Sequence, residues 1–175
     1  RFFQMKQLNR ATLFLLFFFL HTASARAFLF TVPTGEEVTQ KIGHYSQQEL
    51  DPENIHVLVW NVYKGKEKQW RSDFHRLARD KDFVLLQEMY LNHNMKQAFL
   101  DIPDMGFDSA TSFIYDYNGL RTGVATGSKV QSKRLIWRHS PTSEPLTGTP
   151  KVGLITTYPL KNSDQDLMLV NVHGI

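Results

Sequence analysis

Three polar residues each close an apolar run in this chain. Asn61 follows Ile55-His-Val-Leu-Val-Trp60, Glu88 follows Phe83-Val-Leu-Leu-Gln87, and His173 ends the run that begins at Leu167. An amide, a carboxylate and an imidazole gathered in one place suit phosphoester chemistry. One carboxylate with an amide fits a hard cation such as Mg2+, which keeps several waters and takes one or two protein carboxylates beside phosphate oxygens. A nearby imidazole can pass a proton to a phosphoryl oxygen or a leaving group. Acyl transfer fits less well, because the chain has no cysteine and no Gly-x-Ser-x-Gly elbow. Singly, each residue has an ordinary reading: Asn61 as a turn residue, Glu88 as a solvated carboxylate, His173 as a hydrogen-bonded strand end. Only joint placement on one sheet edge makes them a site.

The elements that must supply that placement are legible in outline. Ile55–Trp60 is apolar and rich in β-branched residues, which predicts a strand covered on both faces. Over 69–80 the period changes. Trp70, Phe74, Leu77 and Ala78 line one helical face, with Arg71, Asp73, Arg76, Arg79 and Asp80 on a solvated one. Phe83–Gln87 reads as a second buried strand. Strand, helix and strand predict a parallel βαβ unit, which sets Asn61 and Glu88 at neighbouring carboxyl ends, where α/β sheets bind ligands.

Farther along, a second helix is expected over 92–101 with Met95, Ala98 and Phe99 inward. Strands are expected at Ser112–Tyr115, Thr122–Ser128 and Lys133–Trp137. A turn-rich loop from Ser140 to Pro150 could rim a site. Val152–Tyr158 and Leu167–Val172 read as a hairpin, and alternation in its second strand puts Asn171 and His173 on one face. A βαβ unit followed by antiparallel strands indicates a mixed α/β layered domain rather than a doubly wound one.

Composition bounds the rest. A chain of 175 residues, 42% apolar, builds one core. With no cysteine, disulfides and thiolate metal sites are excluded. Of 20 basic residues, Arg1, Lys6 and Arg10 fall in 1–25, which holds no acid; the remaining 17 balance 17 acidic residues, so the basic excess is no argument for nucleic acid. Met5-Lys-Gln-Leu-Asn-Arg10, the apolar run Ala11–Leu20 and His21-Thr-Ala-Ser-Ala25 read as a secretory signal cleaved after Ala25 or Ala27. The exported product would be periplasmic or secreted. The alternative is a retained membrane anchor reaching Val32, but His21 and Arg26 interrupt it and a span needs roughly 20 apolar residues. The expected layout is therefore a signal or anchor over 1–27, a leader over 28–54 with at most a helical turn at Ser46–Leu50, and a domain over 55–175.

Several blocks together carry a resemblance. Val57-Leu-Val-Trp-Asn-Val-Tyr-Lys64, Trp70, Val84-Leu-Leu-Gln-Glu88, Thr122-Gly-Val, Pro150-Lys151, Thr157-Tyr-Pro-Leu160 and Leu169-Val-Asn-Val-His173 occur in that order. Over residues 55–175 the sequence resembles the endonuclease/exonuclease/phosphatase superfamily, and within it is similar to the YafD-type bacterial proteins. The resemblance implies a four-layer α/β/β/α sandwich and a phosphodiesterase or phosphatase centre using Mg2+ or Mn2+. It makes Glu88 the metal ligand, Asn61 a support of the metal–phosphate site, and His173 the imidazole that contacts phosphate or assists the leaving group. Asn171 and Lys151 match supporting positions.

The family pattern continues with an Asp-x-Asn block that activates water and ends with an Asp-His pair. Neither occurs here in a suitable context. Asp116-Tyr-Asn118 fits by letter but precedes the Gly-bounded strand, and it reads as a loop. The resemblance thus covers the first part of the domain. It implies that the complete form is a hydrolase and that this chain alone is inactive. A non-catalytic binding module of the same fold is the alternative. Nucleic acid, a phospholipid or sphingomyelin head group, and a small phosphate ester are the candidate substrates; the aromatics of Phe113–Tyr117 could meet a membrane surface, though packing is their simpler role.

Overall fold

The apolar runs become strands of two stacked sheets in a computed structural model of the chain, which describes residues 29–174. The first sheet holds β1 (Phe30–Thr31), β2 (Thr39–Ile42), β3 (Val57–Asn61), β4 (Phe83–Tyr90), β5 (Gly106–Tyr115) and β6 (Arg121–Ser128). Its order is β1-β5-β6-β4-β3, and β2 also pairs with β5. The second sheet is the antiparallel set β7 (Arg134–Ser143), β8 (Pro150–Pro159) and β9 (Asp166–Val172), in that order. The expected βαβ unit is present: β3 and β4 are parallel, with Asn61 opposite Gln87, and α1 (Trp70–Ala78) connects them. The signal or anchor reading of 1–27 lies outside the described residues. Among the described residues, no helix is long and apolar enough to cross a membrane.

Two apolar layers hold these elements together. α1 and α2 (His93–Leu100) lay Phe74, Ala78, Met95, Ala98 and Phe99 on the outer face of the first sheet, against Val84, Leu86, Met89 and Phe107. Phe99 stacks on Phe107 with centroids 4.3 Å apart. Burying one such ring contributes about 2–3 kcal/mol. Asn92 starts α2 by accepting the Met95 amide at 2.9 Å, the expected use of an Asn N-cap. Between the sheets, Val38, Ala110 and Val124 meet Val152 and Leu154, while Phe83 and Leu85 meet Tyr158, Leu167 and Leu169. Gly123 allows the close approach of β6 to β5, since a Cβ there would sit 2.0 Å from the Ala110 carbonyl oxygen.

Five readings need correction. β3 is not covered on both faces: it is the end strand of its sheet, and Val57 and Val59 are 44% and 64% exposed. Only Leu58 and Trp60 pack, under the helices. The leader over 28–54 is part of the domain, because β1 and β2 pair with β5, and Val38, Ile42 and Leu50 are buried. Ser46–Leu50 makes two isolated bridges, Gln47 to Val130 and Leu50 to Leu160, instead of a helical turn; Leu50 is drawn into the layer with Phe83 and Tyr158. β5 begins at Gly106 rather than Ser112, and its polar content is satisfied internally. Asp108, fully buried, accepts from the Tyr45 hydroxyl at 2.9 Å and the Ser132 hydroxyl at 2.7 Å. Finally, β7 continues to Ser143, so the rim loop shrinks to residues 144–149.

The described residues thus form a mixed α/β sandwich of helices, sheet and sheet. The outer face of the second sheet carries Ile136, Ile155 and Val170 side by side in register, flanked by Met168 and Val172. Met168, Val170 and Val172 are at least half exposed. A fourth, helical layer over this face is not among the described residues.

Candidate active site

Glu88 is set by a bulge. The β4–β6 register shifts between Leu86 and Met89, and Glu88 takes a left-handed φ of 53°. That conformation costs a non-glycine residue on the order of 1–2 kcal/mol, and bulges of this kind re-aim side chains beside functional sites. Glu88 Oε1 accepts the Asn61 Nδ2 hydrogen at 2.9 Å and lies 3.5 Å from His173 Nε2. The parallel pairing of β3 and β4 places the first contact, and β9 delivers the second from the other sheet.

Asn61 is held at both ends of its amide. Its Oδ1 accepts the Tyr63 backbone N–H at 3.0 Å, an Asx turn that leads into the tight turn Tyr63–Gly65. Tyr63 and Lys64 are both left-handed there, with φ of 47° and 58°. This turn points Lys64 back across the cleft, where Nζ donates to the Tyr115 hydroxyl at 2.9 Å.

His173 has a pKa below its ordinary value, because burial disfavours its charged form and the Lys151 ammonium reinforces the effect; Glu88 and Glu144 oppose it without prevailing. The His173–Glu88 contact is therefore a neutral ring beside a carboxylate, not an ion pair, near pH 7. A neutral imidazole keeps one N–H to donate and one nitrogen to accept.

The two supporting residues part company. Asn171 is buried between the sheets, away from solvent, and accepts from Gln87 Nε2 at 2.7 Å. Its Nδ2 donates to the Ala125 carbonyl at 2.9 Å, with Leu86 O and Thr126 Oγ1 each at 3.3 Å. It ties β9 to β4 and β6 two residues before His173, so its part is positional. Lys151 faces the cleft. Its side chain is 16% exposed, with Nζ 2.5 Å from Glu144 Oε1. Glu144 Oε2 also accepts from the Thr147 and Thr149 hydroxyls at 2.8 and 3.2 Å. The hydrogen bond from Lys151, then that from Thr147, hold the Glu144 carboxyl down at about 2.

Lys64, Glu88, Glu144, Lys151 and His173 all line one cleft of about 430 Å³, a volume in the range of small-molecule sites. The same cleft is also lined by Phe30, Phe113, Tyr115, Tyr117 and Leu146. Sequence reasoning singled out Asn61, Glu88 and His173 because each closes an apolar run, and the structure brings Asn61 and His173 against the Glu88 carboxylate. It did not single out Lys64, although that residue lies inside the Trp-Asn-Val-Tyr-Lys block, nor Glu144, which sits in a turn-rich loop with no period.

The donor set admits a hard cation of one kind. Among the described residues no hydrogen bond reaches Glu88 Oε2, while Oε1 and the Asn61 carbonyl oxygen are already engaged. One open carboxylate oxygen suits an ion that retains most of its waters. Among the described residues no group of three His, Cys, Asp or Glu side chains is placed to enclose a metal.

No family model matches the chain. It is 28% identical to a UPF0294 protein of Vibrio parahaemolyticus over 95% of its own length and 62% of that protein's. Against a UPF0294 protein of Vibrio cholerae it is 30% identical over 84% of its length and 54% of the relative's. The chain thus spans little more than half the length of the curated relatives it matches. One solved structure, an endonuclease/exonuclease/phosphatase family protein from Leptotrichia buccalis, aligns with a TM-score of 0.49 and 15% identity over 69% of this chain and 55% of the other. In sequence, then, the chain is similar to the UPF0294 proteins of Vibrio across most of its own length.

Proposed function

We propose that this chain supplies the metal-binding side of an exported or membrane-anchored, Mg2+- or Mn2+-dependent phosphoester hydrolase. One observation carries the reading: Glu88 and His173, from the two sheets, meet in a single cleft that also holds Lys64 and Lys151, and Asn61 holds the Glu88 carboxylate by a hydrogen bond. The sequence resemblance to the endonuclease/exonuclease/phosphatase superfamily supports it. Glu88 would hold the ion through Oε2, with Asn61 fixing the carboxylate by its bond to Oε1. Held by Glu88, such an ion would supply positive charge beside the phosphoryl group. Lys64 attracts the phosphate, and His173, neutral at pH 7, donates its N–H to a phosphoryl oxygen or accepts a proton from an incoming hydroxyl group.

Mn2+ binding followed by electron paramagnetic resonance tests the metal side in this chain itself, with loss of the bound signal expected in Glu88→Ala. Turnover of bis(p-nitrophenyl) phosphate is expected from the complete protein and not from the 175-residue chain. Activity of the complete protein that survives excess chelator would sink the metal mechanism, and turnover by this chain, lost in Glu88→Ala, would remove the need for further catalytic residues.

A binding module of the same fold is the second reading, favoured by the single open carboxylate at the site. Metal and phosphate binding by the complete protein, with no turnover of any phosphoester, would establish it.

A further inference from the structure

The cleft is two-sided, and only one side is explained by phosphate. Beyond Lys64 and His173 the wall is made by Phe30, Phe113, Tyr115 and Tyr117, closed by Leu146 and Leu29. The inner rings pack on each other: Phe30 on Phe113 at 5.2 Å, Phe113 on Tyr115 at 5.1 Å, and Tyr115 on Tyr117 at 5.3 Å. Three residues at the mouth gain little from folding, since Leu146 is 89%, Tyr117 73% and Leu29 60% exposed. A single exposed leucine is ordinary, but apolar side chains grouped at the mouth of a cleft mark a binding surface. Lys64 joins the two sides: its Nζ is bonded to the Tyr115 hydroxyl and lies 5.6 Å from that ring's centroid.

We propose that the cleft takes an amphiphilic phosphoester of the lipid type. Its phosphate lies at the Lys64–Glu88–His173 end, and its alkyl chain runs along the Phe113–Tyr117 wall and out past Leu146. The proposal rests on the phosphoester reading above and names its substrate class. Two features favour an alkyl chain over a nucleobase. The inner rings are already engaged with one another, which leaves no parallel pair of faces to sandwich a base. The mouth itself is made of aliphatic side chains as much as rings.

Binding of alkyl phosphates to the full chain in Mg2+ buffer, measured by titration calorimetry, tests this. The ligands are inorganic phosphate, methyl, butyl and hexyl phosphate, hexanol and a nucleoside monophosphate. A fully buried methylene strengthens binding about fourfold, so hexyl phosphate is expected to bind at least about tenfold more tightly than methyl phosphate. Leu146→Ser with Tyr117→Ser should flatten that rise and leave methyl phosphate unchanged; both side chains are exposed, so the fold is retained, and circular dichroism checks it. A flat series with phosphate binding intact overturns this proposal alone. A nucleoside monophosphate that outbinds hexyl phosphate overturns it in favour of a nucleotide. If hexanol binds while inorganic and methyl phosphate do not, the phosphoester reading falls and takes this one with it.

Discussion

Glu88 keeps a left-handed backbone that glycine would adopt without strain, and it keeps it while forming the contacts of the site. The role proposed for Glu88 and the stability of the fold therefore pull apart at this residue. Replacing Glu88 by Ala loses the contacts and keeps the strain, whereas Gly loses the contacts and relieves it. Glu88→Gly is expected to be more stable than Glu88→Ala by about 1 kcal/mol, measured by urea denaturation, with metal binding absent from both. Glu144 gives a pH signature. Its folded-state pKa, about 2, lies below the ordinary 4.5. The unfolded chain therefore binds the proton more readily, so the stabilisation is fully present above about 4.5 and is lost as pH falls toward 2. Glu144→Gln should flatten the stability profile in that window and change little at pH 7 beyond the lost Lys151 contact. At this scale the sequence was informative wherever a polar residue ended an apolar run. Lys64 and Glu144 owe their positions to a left-handed turn and to a loop, and neither leaves a period to read.

Strands and helices were legible in proportion to how simply each meets its surroundings. α1 and α2 show a clean stripe because one face meets a sheet and the other water. β5 hides because both its faces and both its edges are covered, so Asp108, Ser109 and Ser112 are buried among apolar neighbours. β3 misleads in the opposite way. Its apolar run announces a covered strand, but nothing in the run tells that it stands at the end of the sheet. Asn171 shows what element placement depends on. Its carboxamide joins β9 to β4 and β6 inside the sandwich. Asn171→Leu strands the Gln87 amide and the Ala125 carbonyl and is expected to cost about 2–3 kcal/mol. It should also release His173 from its register, visible as a changed imidazole chemical shift, whereas Asn171→Gln recovers neither fully because the longer side chain does not fit.

The described residues form a sandwich with one outer face closed by helices and one left exposed. Helices close the first sheet, while Ile136, Ile155, Val170, Met168 and Val172 leave an apolar stripe on the second. Exposed stripes of this kind promote association. Val170→Lys, at a half-exposed position, is expected to raise the concentration at which the chain stays monodisperse by light scattering, with a stability change under about 1 kcal/mol. The layered architecture could be read from the order of elements, but the place of the leader could not, because β1 and β2 are short and polar and draw their order from β5. That pairing also has a temporal meaning. Gln40 and Ser109 are 69 residues apart, so β2 leaves the ribosome well before the strand that receives it. At about 5–20 residues per second the wait is about 3 to 14 seconds. During it β3, α1 and β4 can close locally, whereas β2 shows open backbone groups to any passing edge. β2 is thus synthesised before β3 and β4 yet secured after them.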